Sequence, residues 1–117
     1  MYTLYGIPNC DTVKKARTWL EKQKIPYEFH DYKKAGITLA KLKQWSTQVG
    51  WEILLNKKGT TWKKLDERIQ ITVTNEKAAI KVLSEHTSAI KRPLIERGEK
   101  VIIVGFDEQA YAKLLKK

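Results

Sequence analysis

Tyr2-Thr-Leu-Tyr5, Pro8-Asn9-Cys10 and Asp11-Thr12-Val13-Lys14-Lys15 together decide how this chain begins to fold. The first run is rich in β-formers, the proline and asparagine favour a turn, and the third run opens a helical pattern. Val13, Ala16 and Leu20 recur at helical spacing with Trp19 flanking them, and Ile25-Pro26 ends the helix. Tyr27-Glu-Phe-His-Asp-Tyr32 then alternates and carries aromatic β-formers, so it reads as a second strand. Strand, helix, strand in that order predicts a right-handed βαβ unit with a parallel pair.

Gly36 and Thr38 introduce a helix with Leu39, Leu42, Trp45 and Val49 on one side. A short apolar turn, Trp51 to Leu55, follows Gly50, and Asn56 to Thr61 reads as a loop before a short stretch around Trp62 and Leu65. A third helical pattern follows Asn75, a suitable cap, with Ala79, Ile80, Leu83 and later Ile90 inward. Lys91 to Ile95 reads as a strand beginning at Pro93, Arg97-Gly98-Glu99 as a tight turn and Lys100 to Val104 as the antiparallel partner. A last helix places Ala110, Tyr111, Leu114 and Leu115 inward, with Lys116-Lys117 complementing its C-terminal dipole. The expected fold is α/β: a four-stranded mixed sheet, βαβ then ββα, with a helical insert at about 37–90.

With 117 residues, 42% hydrophobic and 31% charged, one domain spanning 1–117 is expected. One cysteine excludes an intrachain disulfide, and His30 and His86 lack ligand spacing, so no metal site is expected. No basic-then-apolar leader opens the chain, and Val101 to Val104 is too short a run to span a bilayer. A soluble, cytoplasmic monomer is the expectation. Twenty-three Lys and Arg against 13 Asp and Glu give +10, which attracts acidic partners. The lysines are scattered doublets without aromatic interleaving, so specific nucleic-acid binding is not expected.

Chemistry concentrates at Cys10. Unpaired N–H groups in the first helical turn and the helix dipole stabilise an anion there, and the thiolate is the reactive form. Lys14, four residues on, lies over Cys10 on the same helical face and is placed to meet the thiolate or a substrate carboxylate. Asp11 opposes this by setting a negative charge beside the sulfur. Thr12 is a candidate to cap the helix or hydrogen-bond the sulfur, and Asn9 is the polar neighbour on its other side.

Several blocks, in order, resemble one family: Gly6-Ile-Pro-Asn-Cys10-Asp-Thr-Val-Lys-Lys-Ala-Arg17, Tyr27-x-Phe-His30-Asp-Tyr32, Gly50-Trp51-Glu-x-Leu-Leu-Asn56, Gly59-Thr-Thr-Trp62-x-Lys-Leu-Asp66, Ile90-Lys-Arg92-Pro93-Leu94 and Val104-Gly105-Phe106. They look like the YffB subgroup of the ArsC/Spx proteins, from about residue 1 to 115. The resemblance implies a thioredoxin-like fold with a helical insert, and a thiol reductase using glutathione as co-substrate, with no tightly bound cofactor. It implies that Cys10 is the nucleophile and that Arg92 precedes a cis-proline, Pro93. The backbone edge at residue 92 would then offer a place for a peptide-like substrate to pair as an added strand.

Departures from the family pattern narrow the expectation. Val13 stands where thioredoxin-type enzymes and redox-switched Spx regulators have a second cysteine, so an external thiol must resolve any disulfide on Cys10. Of the three arginines that surround the cysteine in the family's arsenate reductases, only Arg92 is matched. Asn56 takes one position, the run Val101 to Val104 covers the region of the other, and Gly6 stands where those enzymes have a histidine. The expected reaction is therefore monothiol exchange with glutathione and a small-molecule or protein disulfide. The alternatives are a glutaredoxin-linked arsenate reductase and an Spx-like regulator whose basic surface meets an acidic protein partner, RNA polymerase in that family.

Overall fold

The computed structural model describes residues 1–116. In chain order its elements begin with β1 (Tyr2–Gly6), α1 (Asp11–Lys22), β2 (Tyr27–Asp31), α2 (Tyr32–Ala35), α3 (Leu39–Val49) and α4 (Trp51–Leu54). They continue with α5 (Thr60–Lys64), α6 (Glu67–Gln70), α7 (Glu76–Glu85), a 3-10 turn over Thr87–Ala89, β3 (Leu94–Arg97), β4 (Lys100–Val104) and α8 (Glu108–Leu114). The chain divides into two compact units, one formed by Met1–Ala35 with the chain from Arg92 onward, the other by Gly36–Lys91.

In the first unit the sheet order is β2-β1-β3-β4, with β1 and β2 parallel and the other pairs antiparallel. This is the mixed sheet expected from the sequence. One face carries Leu4 and Ile95 and packs on Val13, Ala16 and Leu20 of α1 and on Tyr111 and Leu115. Val13 and Leu20 are completely buried, each contributing roughly 1.5–3 kcal/mol. The pleat sends Tyr5, His30, Leu94 and Glu96 to the opposite face, as the pairings Tyr5–His30, Tyr5–Leu94 and Thr3–Glu96 require. A register shift between Ile95 and Glu96 interrupts the β3–β4 ladder beside that carboxylate.

Several boundaries differ from the sequence reading. Tyr32 does not close β2 but opens α2, because the Asp31 carboxylate accepts from the Lys33 N–H at 2.8 Å and starts a helical turn. β3 begins after Pro93, at Leu94, and extends through Arg97, leaving Gly98-Glu99 as the turn; Gly98 adopts φ 63. α8 ends at Leu114, whose side chain points to solvent while Leu115 just beyond fills the core. Lys117 lies outside the described residues.

The second unit is helical. Thr38 caps α3 by accepting from the Lys41 N–H, and Leu42 and Trp45 are fully buried. Leu39, on the first turn, is 53% exposed rather than inward. Gly50, at φ 90, lets the chain leave α3 and enter α4, so the expected apolar turn is one turn of helix. Thr60 and Thr61 likewise begin α5 instead of ending a loop. Asp66 caps α6, which the sequence reading did not separate. Asn75 caps α7, accepting from the Ala78 N–H at 2.9 Å, and the inward face is Ala79, Val82 and Leu83, with Ile80 at its margin. Glu76 ties α7 to α3 by pairing with Lys43 and accepting from the Ser46 hydroxyl at 2.7 Å.

Candidate active site around Cys10

Cys10 is the N-cap of α1, with extended backbone (φ −130, ψ 121), and its carbonyl accepts the first helical bond from the Lys14 N–H at 2.9 Å. Val13, one turn in, is fully buried and pins the start of the helix to the sheet. The packing is close: a β-carbon added at Gly6 would meet Val13 Cγ2 at 2.8 Å. A larger side chain at position 6 would force this valine to shift.

The half-buried sulfur closes no side-chain cap bond of the serine or asparagine kind. Its acidity is set by opposing effects. Partial burial raises the thiol pKa most, but the Val13 amide, the hydrogen bond and charge of the Arg92 guanidinium, and the Thr12 amide together outweigh it. The net result is a thiol below its ordinary value. Thr12 therefore acts through its backbone, its side chain being exposed. Lys14 is exposed on α1 and meets Cys10 through the backbone bond just described. Asn9 is exposed in the turn before the cysteine.

Arg92 enters β3 from the other side, half-buried, with a buried Nε. The Arg92–Pro93 peptide bond is cis, as the resemblance implied, and Pro93 is fully buried. Asn56 belongs to the helical unit, where its N–H donates to the Ala89 carbonyl at 2.9 Å and its carbonyl accepts from the Gly59 N–H. Sequence reasoning missed Glu96, a buried carboxylate on the same sheet face as Tyr5 and His30. Its burial shows only once β3 is seen to lie between β1 and β4.

The mixed four-stranded sheet with one cysteine at the N-terminus of its first helix is the fold shared with a solved arsenate reductase from Vibrio cholerae. The ArsC family model matches residues 5–114, and the chain belongs to the ArsC family. The solved structure of a YFFB protein is 46% identical and superposes with a TM-score of 0.92 over 99% of this chain and 100% of that one. An arsenate reductase (ArsC) related protein from Brucella melitensis is 45% identical, with a TM-score of 0.76 over 96% of this chain and 92% of its own. The global transcriptional regulator Spx of Bacillus subtilis is 26% identical over 117 residues, 98% of this chain and 87% of Spx. Among the described residues no helix is long and apolar enough to cross a membrane.

Proposed function

We propose that the protein is a glutathione-dependent thiol–disulfide oxidoreductase that works through one cysteine. The observation that carries the reading is the Cys10 sulfur, faced by the Val13 and Thr12 amides and by Arg92 and more acidic than an ordinary thiol. The Cys10 thiolate attacks the glutathione sulfur of a glutathione-containing disulfide, forming a mixed disulfide with glutathione and releasing the other half as a thiolate. The thiolate of a glutathione then attacks the glutathione sulfur of that mixed disulfide, giving oxidised glutathione and regenerating the Cys10 thiolate. The chain holds no second cysteine to resolve the mixed disulfide internally.

In this reading Arg92 stabilises the thiolate as it forms and as it leaves, while Asn9, Thr12, Lys14 and Pro93 are the proposed substrate-binding set. A reducing compartment such as the cytoplasm keeps the thiol available. The test is intact mass after incubation with oxidised glutathione. One glutathione on wild type, none on Cys10→Ser and removal by reduced glutathione support the cycle; no adduct overturns it.

A second reading is favoured by the likeness to Spx and the charge of +10: a binding module for an acidic protein surface. It predicts partner binding unchanged in Cys10→Ser. The glutaredoxin-linked arsenate reductase reading is weaker, because Gly6 and Asn56 stand where charged or imidazole groups would hold the oxyanion.

A further inference from the structure

Helices α1 and α8 pack on the same face of the sheet. Beside them lie two adjoining depressions, of about 450 Å³ and about 280 Å³, that share Trp19 and Glu108. Both are open to solvent, unlike the enclosed sites that bury a small ligand. On α1 the wall is one stripe, Lys15, Trp19 and Lys22, at the i, i+4 and i+7 positions of the helix. Trp19 is half-buried, and its ring meets Tyr111 edge-on at 5.5 Å, as the Phe106 ring does at 4.9 Å. The Tyr111 hydroxyl fixes this cluster by donating to the Gly105 carbonyl at 2.6 Å. The groove thus has a stiff aromatic floor of the kind that anchors a partner's apolar side chain.

Lys15, Lys22 and Lys116 border the groove against one carboxylate, Glu108. That acid stands in the first turn of α8, where the helix dipole favours it. Among the described residues neither Lys15 nor Lys22 forms an ion pair. Lys15 follows Cys10 by about one and a half turns, about 7–8 Å along the axis of α1. Cys10 and Phe106 also pack against the same core cluster, so the groove leads away from the nucleophile. We propose that it docks the protein half of the disulfide substrate: a segment with an apolar side chain flanked by carboxylates, its cysteine joined to glutathione. The inference rests on the thiol chemistry proposed above and names its substrate class. The Cys10 thiolate attacks the glutathione sulfur, the substrate's S–S bond breaks, and the segment's cysteine leaves as a thiolate with the bonding pair. Opposite charge steers the segment in, and the aromatic floor holds it.

The experiment uses two synthetic peptides, Glu-Asp-Leu-Phe-Glu-Cys and the same sequence with lysine at each acidic position, both glutathionylated at the cysteine. With reduced glutathione present, kcat/KM for deglutathionylation should be about tenfold higher for the acidic peptide at low salt, the size of two or three exposed charge pairs. Both peptides carry the same glutathione, so their ratio isolates the groove. Lys15→Glu combined with Lys22→Glu should erase the preference, whereas Lys63→Glu combined with Lys64→Glu, on α5, should leave it in place. Equal rates in wild type overturn the proposal, and so does a ratio that falls alike in both variants, which would put the net charge of +10 alone at work. Binding is read separately by NMR, titrating isotope-labelled protein with the acidic peptide carrying serine for cysteine. The Trp19 indole signal should shift ahead of those of Trp45, Trp51 and Trp62, and its failure to do so overturns the docking site whatever the turnover. A Trp19 shift with neither peptide turned over would sink the enzyme reading and leave the groove standing as the docking surface.

Discussion

Gly6 and Val13 fit each other so closely that a single added methyl group on the glycine would lie 2.8 Å from Val13 Cγ2 and 3.2 Å from Cγ1. Val13 is buried completely and anchors the turn whose amides face the sulfur. The residues at positions 6 and 13 are therefore set jointly by packing.

Gly6→Ala should destabilise the protein by about 1–3 kcal/mol, since the β-branched neighbour cannot give way without moving the helix start. Adding Val13→Ala, which removes both contacting γ-carbons, should make the double variant more stable than the sum of the single changes predicts. Denaturant titration of the four proteins checks this; strict additivity would show that the contact is relieved elsewhere.

The pH dependence of stability follows from Cys10. Its pKa in the fold lies below the ordinary value, because the Val13 amide, Arg92 and the Thr12 amide outweigh the opposing effect of burial. The stabilisation is thus fully present above the unfolded thiol's pKa and is lost as pH falls through the lower folded value. Unfolding of wild type and Cys10→Ser, compared between about pH 6 and about pH 9, should show wild type gaining relative stability as pH rises. Arg92→Ala should shrink that gain and slow alkylation of Cys10 at neutral pH.

Tyr32 is 2% exposed, and its hydroxyl finds no hydrogen-bond partner among the described residues. Tyr32→Phe should leave thermal stability unchanged or raise it by about 1 kcal/mol, as expected when an unsatisfied buried hydroxyl is removed. A loss of more than that would reveal a partner for the oxygen.

Val13→Cys would restore a second thiol three residues from the first, on the same first turn of α1. Treated with oxidised glutathione, this variant should lose two hydrogens to an internal disulfide and release two reduced glutathiones, in place of the adduct expected on wild type. Intact mass distinguishes the two products directly.

Strand β1, helix α1 and the β3–β4 hairpin were legible in the sequence because each repeats its apolar period over several residues. The one-turn helices α2, α4, α5 and α6 span four or five residues each, too few to display a period, and are set by caps such as Asp31 and Asp66. Leu39 and Leu114 match the helical spacing yet point outward, since end turns have neighbours on one side only. At the site, Cys10 was legible from its place at a strand-to-helix junction, and Arg92 and Pro93 from resemblance. Glu96 was not, because the run Leu-Ile-Glu-Arg gives no hint of which face the carboxylate takes until the strand's neighbours are known.

Cys10 begins α1 without the side-chain bond that usually secures a helix start, and the Thr12 and Val13 amides face its sulfur and favour its ionised form. Any chemistry that neutralises the sulfur also takes away what those amides were facing. The first turn of the helix is thereby a reporter of redox history: its amide protons should exchange with solvent more quickly whenever the cysteine carries a passenger, and slow again when the thiolate returns.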